Sequence, residues 1–170
     1  MSGFTEGWYV VYTKPNHERK VEEKLMGSGV PCFLPLVKRL RDWHNRRKYI
    51  EFPLFPSYVF VFLRSKSQYF RAVDTDGVWY FVRSGREIAR VPEKVIADLR
   101  MVISGGREVE VTHEAIRPGH RLTITKGPLC GLSCEMVDYK GKKELLVRVN
   151  LLQRNILVSL SSEYLELVPA

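Results

Sequence analysis

The sequence predicts an α+β protein of two units: an α/β N-terminal domain over residues 1–104 and a small five-stranded β-barrel over residues 118–170, joined by a linker at 105–117. Three observations predict it. Strand-like and helix-like patterns alternate through residues 7–104, the mark of a mixed sheet with helices packed on it. After Pro118-Gly119 the apolar period is two throughout, broken by clusters of turn residues. The charge divides at the same place. Residues 1–104 hold 18 Lys+Arg and 11 Asp+Glu, and residues 105–170 hold 9 and 8. The first unit is basic, which favours a polyanion such as nucleic acid, and the second is nearly neutral. Charge alone is equally consistent with simple solubility.

Each element follows from its residues. GWYVVYT at 7–13 is β-rich and aromatic, hence a strand. In KPNHERKVEEKLMGSG, Pro15 suits a first helical position and Gly27 and Gly29 suit the exit, with Val21 and Leu25 forming one buried stripe. Residues 30–40 read as a strand, Arg41–Lys48 as a polar, basic stretch, and Tyr49–Phe52 as apolar again, which is a hairpin with a long charged tip. LFPSYVFVFL at 54–63 is a strong strand, Ser65–Ala72 a short helix, and Val78–Arg83 a further strand turned by Ser84-Gly85. Pro92 opens a second helix in which Val95, Ile96, Leu99, Val102 and Ile103 repeat at helical spacing, and Gly105-Gly106 ends it. Turns at Lys126–Gly131, Lys140–Lys143 and Gln153–Asn155 separate the strands of the second unit, which closes with Ile156–Leu160 and Tyr164–Val168.

The composition, 45% hydrophobic and 27% charged, is that of a globular chain and excludes global disorder. The longest apolar run, Leu54–Leu63, is half of the ~20 residues a membrane helix needs, and no Lys or Arg in the first ten residues marks a secretory signal. Cys32, Cys130 and Cys134 form no zinc-type pair of pairs and read as reduced thiols of a cytoplasmic protein. No G-x-S-x-G, phosphate-cradling glycine loop or H-E-x-x-H is present, and His17, His44, His113 and His120 are scattered. No enzyme, metal or cofactor is expected.

Three segments are candidates for binding. Both parities of the Pro53–Leu63 strand are apolar: Phe55, Val59, Val61 and Leu63 on one side, Leu54, Tyr58, Phe60 and Phe62 on the other. Either internal packing covers both, or one side is a partner-binding patch built from Tyr12, Phe55, Tyr58 and Phe60. On the first helix His17, Lys20 and Lys24 share one flank and Glu18 and Glu22 the other, a segregation suited to phosphates or simply a solvated face. In Lys38–Lys48, Arg41, Arg46, Arg47 and Lys48 surround Trp43, a composition that suits a nucleic-acid backbone with one ring to stack on a base, or a charged soluble loop whose Trp43 packs at its base.

Four further pieces occur in order. They are Gly7-Trp8-Tyr9-Val10-Val11-Tyr12, Phe55-Pro56-Ser57-Tyr58-Val59-Phe60-Val61, Gly77-Val78 with Phe81-Val82, and Pro118-Gly119-His120-Arg121-Leu122 followed by Gly127-Pro128-Leu129-Cys130-Gly131. Together they resemble the NusG family of transcription elongation factors over nearly the whole chain. The last piece looks like the start of a KOW motif, with Gly119, Gly127, Pro128, Leu129 and Gly131. Pro53-Leu54-Phe55-Pro56, Val30-Pro31-Cys32-Phe33-Leu34-Pro35 and Asn150-Leu151-Leu152 look more like the specialised paralogues, RfaH and the antiterminators of polysaccharide operons. Cys134 stands where the general KOW pattern has glycine.

The resemblance implies a NusG-type N-terminal domain, a mixed and mainly antiparallel sheet with helices, followed by a KOW barrel. It implies an antitermination factor that suppresses pausing and termination, as a monomer with no membrane association. Its partners would be the large subunits of bacterial RNA polymerase: the clamp helices through Tyr12, Leu54, Phe55, Pro56, Tyr58, Phe60 and Ile96, and the gate loop through Gln68, Tyr69, Phe70 and Arg71. It also implies contact of the non-template DNA strand with Lys14, His17, Lys20 and Lys24. Where RfaH has an arginine before the Gly77 position this chain has Asp76. The KOW unit would reach a ribosomal small-subunit protein or rho. Two alternatives stay open: a general housekeeping NusG, and a ribosome-associated RNA-binding KOW protein.

Overall fold

A computed structural model describes residues 4–104, 109–112, 114–124, 129–149, 152, 154–159 and 167–169. The backbone separates into two compact units, Met1–Glu93 and Lys94–Ala170.

In the first unit, β1 (Gly7–Thr13) lies between β5 (Tyr58–Leu63) and β6 (Val78–Phe81), with the short β2 (Cys32–Phe33) outside β5. The β1–β5 register runs from Gly7↔Leu63 to Tyr12↔Tyr58, and every pairing in this sheet is antiparallel. Alternation sends Tyr9, Val11, Val59, Val61 and Leu63 to one face. There they pack with Val21 and Leu25 of α1 (Glu18–Gly27) and Ala72 of α2 (Lys66–Val73). Burying Val21 and Leu25 stabilises the helix on the sheet by about 1.5–3 kcal/mol each.

Helix α1 begins at Glu18, three residues after the predicted Pro15, because Asn16 sits at φ 60, a left-handed conformation a helix cannot continue through. Its predicted exit is observed: Gly27 is the last residue, Ser28 caps it and Gly29 turns away at φ 78. Ser65 caps α2 by accepting a hydrogen bond from the Gln68 N–H, a cap worth about 1 kcal/mol.

The expected strand at 30–40 is two strands. β2 pairs with β5, the chain breaks at Leu34-Pro35, and β3 (Leu36–Trp43) leaves the sheet to pair with β4 (Arg46–Pro53) alone. Pro35 has no N–H to donate to a ladder, so it suits the break. The charged stretch is not a loop. Eight residue pairs, from Leu36↔Pro53 to Trp43↔Arg46, extend the ribbon to a two-residue turn at His44-Asn45, with Asn45 at φ 73. A tight turn of this sort needs positive φ, and Asn tolerates it.

The expected strand at 78–83 ends at Phe81. Arg83–Ser84 (β7) and Glu87–Ile88 (β8) form a separate small hairpin around Gly85, and Arg90–Val91 (β9) returns to pair with β1.

Helix α3 (Glu93–Ser104) starts directly after Pro92 as predicted, and Ile96, Leu99 and Val102 are buried along it; from Lys94 on it falls in the second unit, whereas the sequence placed it at the end of the first. Beyond it six strands form one antiparallel sheet. In spatial order they are β10 (Val109–Thr112), β14 (Arg154–Ser159), β13 (Lys142–Val149), β12 (Ser133–Tyr139), β11 (His120–Ile124) and β15 (Leu167–Pro169). Five of these lie beyond residue 118 as expected. The sixth, β10, comes from the stretch read as linker; its Val109 and Val111 alternate with polar residues and pair with Val158 and Ile156.

The registers put Leu122, Cys134, Leu145, Val147, Ile156 and Val158 on one buried face. Val137, Tyr139, Leu146 and Leu157 cluster on the other with Ile116. Gly105, Gly106, Lys126 and Gln153, on which predicted turns fell, lie outside the described residues.

Candidate functional site

The face of the first sheet turned away from α1 and α2 carries the even-numbered side chains of β1 and β5, among them Tyr12, Tyr58 and Phe60. This decides which parity lies opposite the helices. Phe55 joins that face too, against the simple alternation that set it with Val59: its ring meets Phe60 edge-on at 6.3 Å. The cause is the turn at Pro56-Ser57, where Ser57 sits at φ 68 and breaks the period before β5 begins.

That turn is held from two sides. The Thr13 N–H donates to the Ser57 carbonyl at 2.8 Å. The Ser57 N–H donates to Oε1 of Glu18, the first residue of α1, also at 2.8 Å. Glu18 is buried, and it was read from sequence only as one of a segregated pair on the helix. A buried carboxylate that accepts from a backbone N–H is a charge-assisted bond, stronger than a neutral one.

The rings form a connected cluster. Tyr12 packs on Tyr58 at 5.2 Å, stacks on Tyr80 at 5.1 Å and meets Trp79 at 5.7 Å. Such pairs contribute about 0.5–1.5 kcal/mol each beyond their buried area. The β1–β6 register shifts between Tyr12 and Thr13, which lets two consecutive residues of β6 reach one ring. Trp79 and Tyr80 are more than half exposed, at 55% and 54%. The sequence reading passed over both; the signal was there, since adjacent aromatic residues on one strand cannot both face a core.

The structure thus divides the predicted patch. Tyr12 and Tyr58 are half-buried and Pro56 is exposed. Leu54, Phe55 and Phe60 are buried in the folded chain, as is Ile96 on α3 of the second unit.

The four residues of α2 have different roles. Tyr69 packs on Phe81 at 5.0 Å. Gln68 donates to the Gly29 carbonyl at 3.0 Å and accepts from the Arg64 N–H at 2.6 Å, and Arg71 donates to the Ser28 carbonyl at 3.1 Å. These bonds tie α2 to the end of α1. Phe70 is left 58% exposed.

The basic flank of α1 is present, with one modification. Asp76, fully at the surface, takes a hydrogen bond from Lys24 Nζ at 2.8 Å and lies 3.8 Å from Lys14 Nζ. The hydrogen bond and charge of Lys24, with help from Lys14, hold the Asp76 carboxyl below the usual carboxylate range. Lys20 is exposed on the same flank, and His17 Nδ1 donates to the Pro15 carbonyl at 2.9 Å. Gly77 sets the approach of β6 to α1: it sits at φ 99, and a Cβ there would lie 2.8 Å from Val21 Cγ2.

Arg41, Trp43, Arg46, Arg47 and Lys48 all lie on the exposed ribbon. Arg47 pairs with Asp42 at 3.3 Å, and Arg41 lies over the Phe52 ring at 5.5 Å. Of the KOW residues, Leu129 is buried, Gly131 sits at φ 91, and Gly127 and Pro128 lie outside the described residues. Gly119 passes so close to β12 that a Cβ would meet the Met136 carbonyl oxygen at 1.9 Å. Among the described residues no group of His, Cys, Asp or Glu is placed to hold a metal, and no helix is long and apolar enough to cross a membrane.

The chain is thus an α/β unit with clustered exposed rings and a cationic flank, followed by an antiparallel β unit. The family model described as "Transcription termination factor nusG" matches residues 6–100, more than half of the chain, and the chain belongs to the NusG family of transcription elongation and antitermination factors. It is 26% identical over 180 residues to the transcription termination/antitermination protein NusG of Lactococcus lactis subsp. lactis, covering 98% of this chain and 96% of that one. Its fold is similar to that of Thermotoga maritima NusG, with a TM-score of 0.52 at 22% identity, over 95% of this chain and 97% of the other.

Proposed function

We propose that this factor docks on the clamp helices of the largest catalytic subunit of bacterial RNA polymerase through the ring cluster of β1, β5 and β6, and so suppresses pausing and termination. The observation that carries the reading is the second apolar face of the first sheet, where Tyr12 and Tyr58 are half-buried and Trp79 and Tyr80 protrude. A lone protein has no use for exposed rings in a cluster, whereas a coiled coil offers them an apolar stripe. In this reading Phe70 on α2 meets the gate loop of the other large subunit, and His17, Lys20 and Lys24 meet the non-template DNA strand. The near-neutral second unit serves a separate partner, a ribosomal small-subunit protein or rho. The factor works in the cytoplasm, as a monomer.

Antipausing then follows from differential binding. A factor that prefers the closed, active polymerase by ~1.4 kcal/mol shifts the ratio of active to paused states about tenfold at saturation. Pro53-Leu54-Phe55-Pro56 and the neighbouring Val30–Pro35 stretch favour the operon-specific type. The full-length similarity to a general factor favours the housekeeping type. A genome-wide occupancy map separates them: few transcription units for the first, most for the second.

The docking test uses Tyr12→Ala with Tyr58→Ala, which spare the buried Phe60. Co-purification with polymerase is expected to fall at least tenfold while the circular-dichroism spectrum at the assay temperature keeps its native shape, the melting temperature dropping by the several degrees that three lost ring pairs cost. A folded double variant that still binds like wild type sinks the docking surface.

A further inference from the structure

We propose that the β3–β4 ribbon is a nucleic-acid site in its own right, a groove that takes an unpaired strand with its bases against Trp43 and Tyr49. This goes beyond polymerase docking and rests on none of the residues assigned to it.

A free two-stranded ribbon is at best marginally stable in water, so exposed apolar side chains on it need a reason. Here Leu40, Trp43 and Tyr49 are 48%, 61% and 68% exposed, on an element otherwise dominated by cations. A groove of 1070 Å³ runs beside the contiguous stretch 46–51 of β4, which lines it from both faces, and Lys38 and Trp43 of β3 with Arg19 of α1 complete the wall. Five cationic side chains and one carboxylate, Glu51, line it. Glu51 is engaged by Arg19 of α1 at 2.9 Å and Asp42 by Arg47 at 3.3 Å. Among the described residues, Lys38, Arg46 and Lys48 have no carboxylate within 4.0 Å and stand open to an external anion.

The composition selects the occupant. An extended peptide could add to the free edge of β4, but the cationic lining favours a polyanion. A duplex would meet the charges but leave both rings idle, because its bases are stacked on one another. An unpaired strand uses both features: phosphates on Lys38, Arg46 and Lys48, and bases on the rings. The Trp43↔Arg46 and Leu40↔Tyr49 pairs are three steps apart, about 10 Å along the ribbon, and an odd step puts the two rings on opposite faces. A strand that follows the edge of β4 would therefore meet them with separate bases. Tyr49 emerges only from the structure, because the segment singled out in the sequence, Lys38–Lys48, stops one residue short of it, and Arg41, named within that segment, does not line the groove.

The experiment measures fluorescence anisotropy of labelled twelve-nucleotide oligo-dT and oligo-U and of a twelve-base-pair duplex with the full chain. The single strands are expected to bind more tightly than the duplex, and the better of the two identifies the natural strand as DNA or RNA. Trp43→Ala and Tyr49→Ala should each weaken single-strand binding about fivefold or more. Lys38→Gln with Lys48→Gln should flatten the slope of log affinity against log salt by about 1.4. All four substitutions should leave polymerase co-purification intact, which separates this site from the docking surface. Equal or tighter duplex binding, or unchanged affinity in the two ring variants, overturns the proposal. So does competition by an acidic peptide as effective as the unlabelled strand.

Discussion

At Glu18 the chain buries a carboxylate under the Ser57 turn, and this one side chain couples helix, turn and ring cluster. Glu18→Ala leaves the Ser57 N–H without its partner in a buried place, which costs about 1–3 kcal/mol. Urea unfolding should show that loss, and polymerase co-purification should weaken with it because Phe55 and Tyr58 flank the turn. The thiols give a second prediction. Burial pushes Cys32 and Cys134 up to about 12, reinforced by Glu22 in one case and by Asp98 and then Glu135 in the other. Cys130 is exposed. A thiol reagent at pH 8 should therefore modify Cys130 rapidly in the folded protein, and the other two only after denaturation. The sign for stability follows. In the folded chain these two thiols stay protonated where unfolded thiols ionise, so their contribution is complete below about pH 8.5 and is lost as pH rises toward 12. Asp76 gives a third. Its carboxylate neutralises Lys14 and Lys24, so Asp76→Asn should raise affinity for single-stranded DNA on the α1 flank; unchanged binding in the same anisotropy assay would remove Lys14 and Lys24 from that contact.

Among the elements, α1, α2 and α3 were largely legible because each carries its own apolar stripe and its own punctuation. Val21 with Leu25, Ser65 before α2 and Pro92 before α3 act within one or two turns of chain. The strands were legible in existence and less so in extent. The ribbon looked like a loop because cations fill both of its faces, and a strand without a buried face has no period to read. β10 was missed for a related reason: four residues with half-exposed valines read as linker until Val109 and Val111 meet β14. Gly77 is the contact on which the α1–β6 packing turns. Gly77→Ala, at positive φ and with Val21 in the way, should cost about 1–3 kcal/mol by chemical denaturation.

For the whole molecule, the division of charge becomes a division of labour. With 18 basic and 11 acidic residues before residue 105 and 9 and 8 after it, the salt dependence of nucleic-acid binding should belong to the first part. Lys20→Gln or Lys48→Gln should flatten the salt slope. Lys142→Gln with Lys143→Gln, both exposed on β13, should leave it unchanged, and a slope that fell in the second case would assign strand binding to the β unit as well.

Composition, local period and punctuation were enough for two units, for the helices, for the strong strands of both sheets and for an apolar surplus on β5. Each of these depends on residues within a few positions of one another. Which face of β5 lies opposite the helices, where Phe55 points, and which rings join Tyr12 depend on groups far apart in the chain. Glu18 reaches Ser57, Tyr80 comes to lie beside Tyr12, and Tyr49 and Lys38 meet along one groove. A side chain's environment is set by whatever folding brings beside it, and for these residues that neighbour is known only once the sheet register and the Ser57 turn are in place.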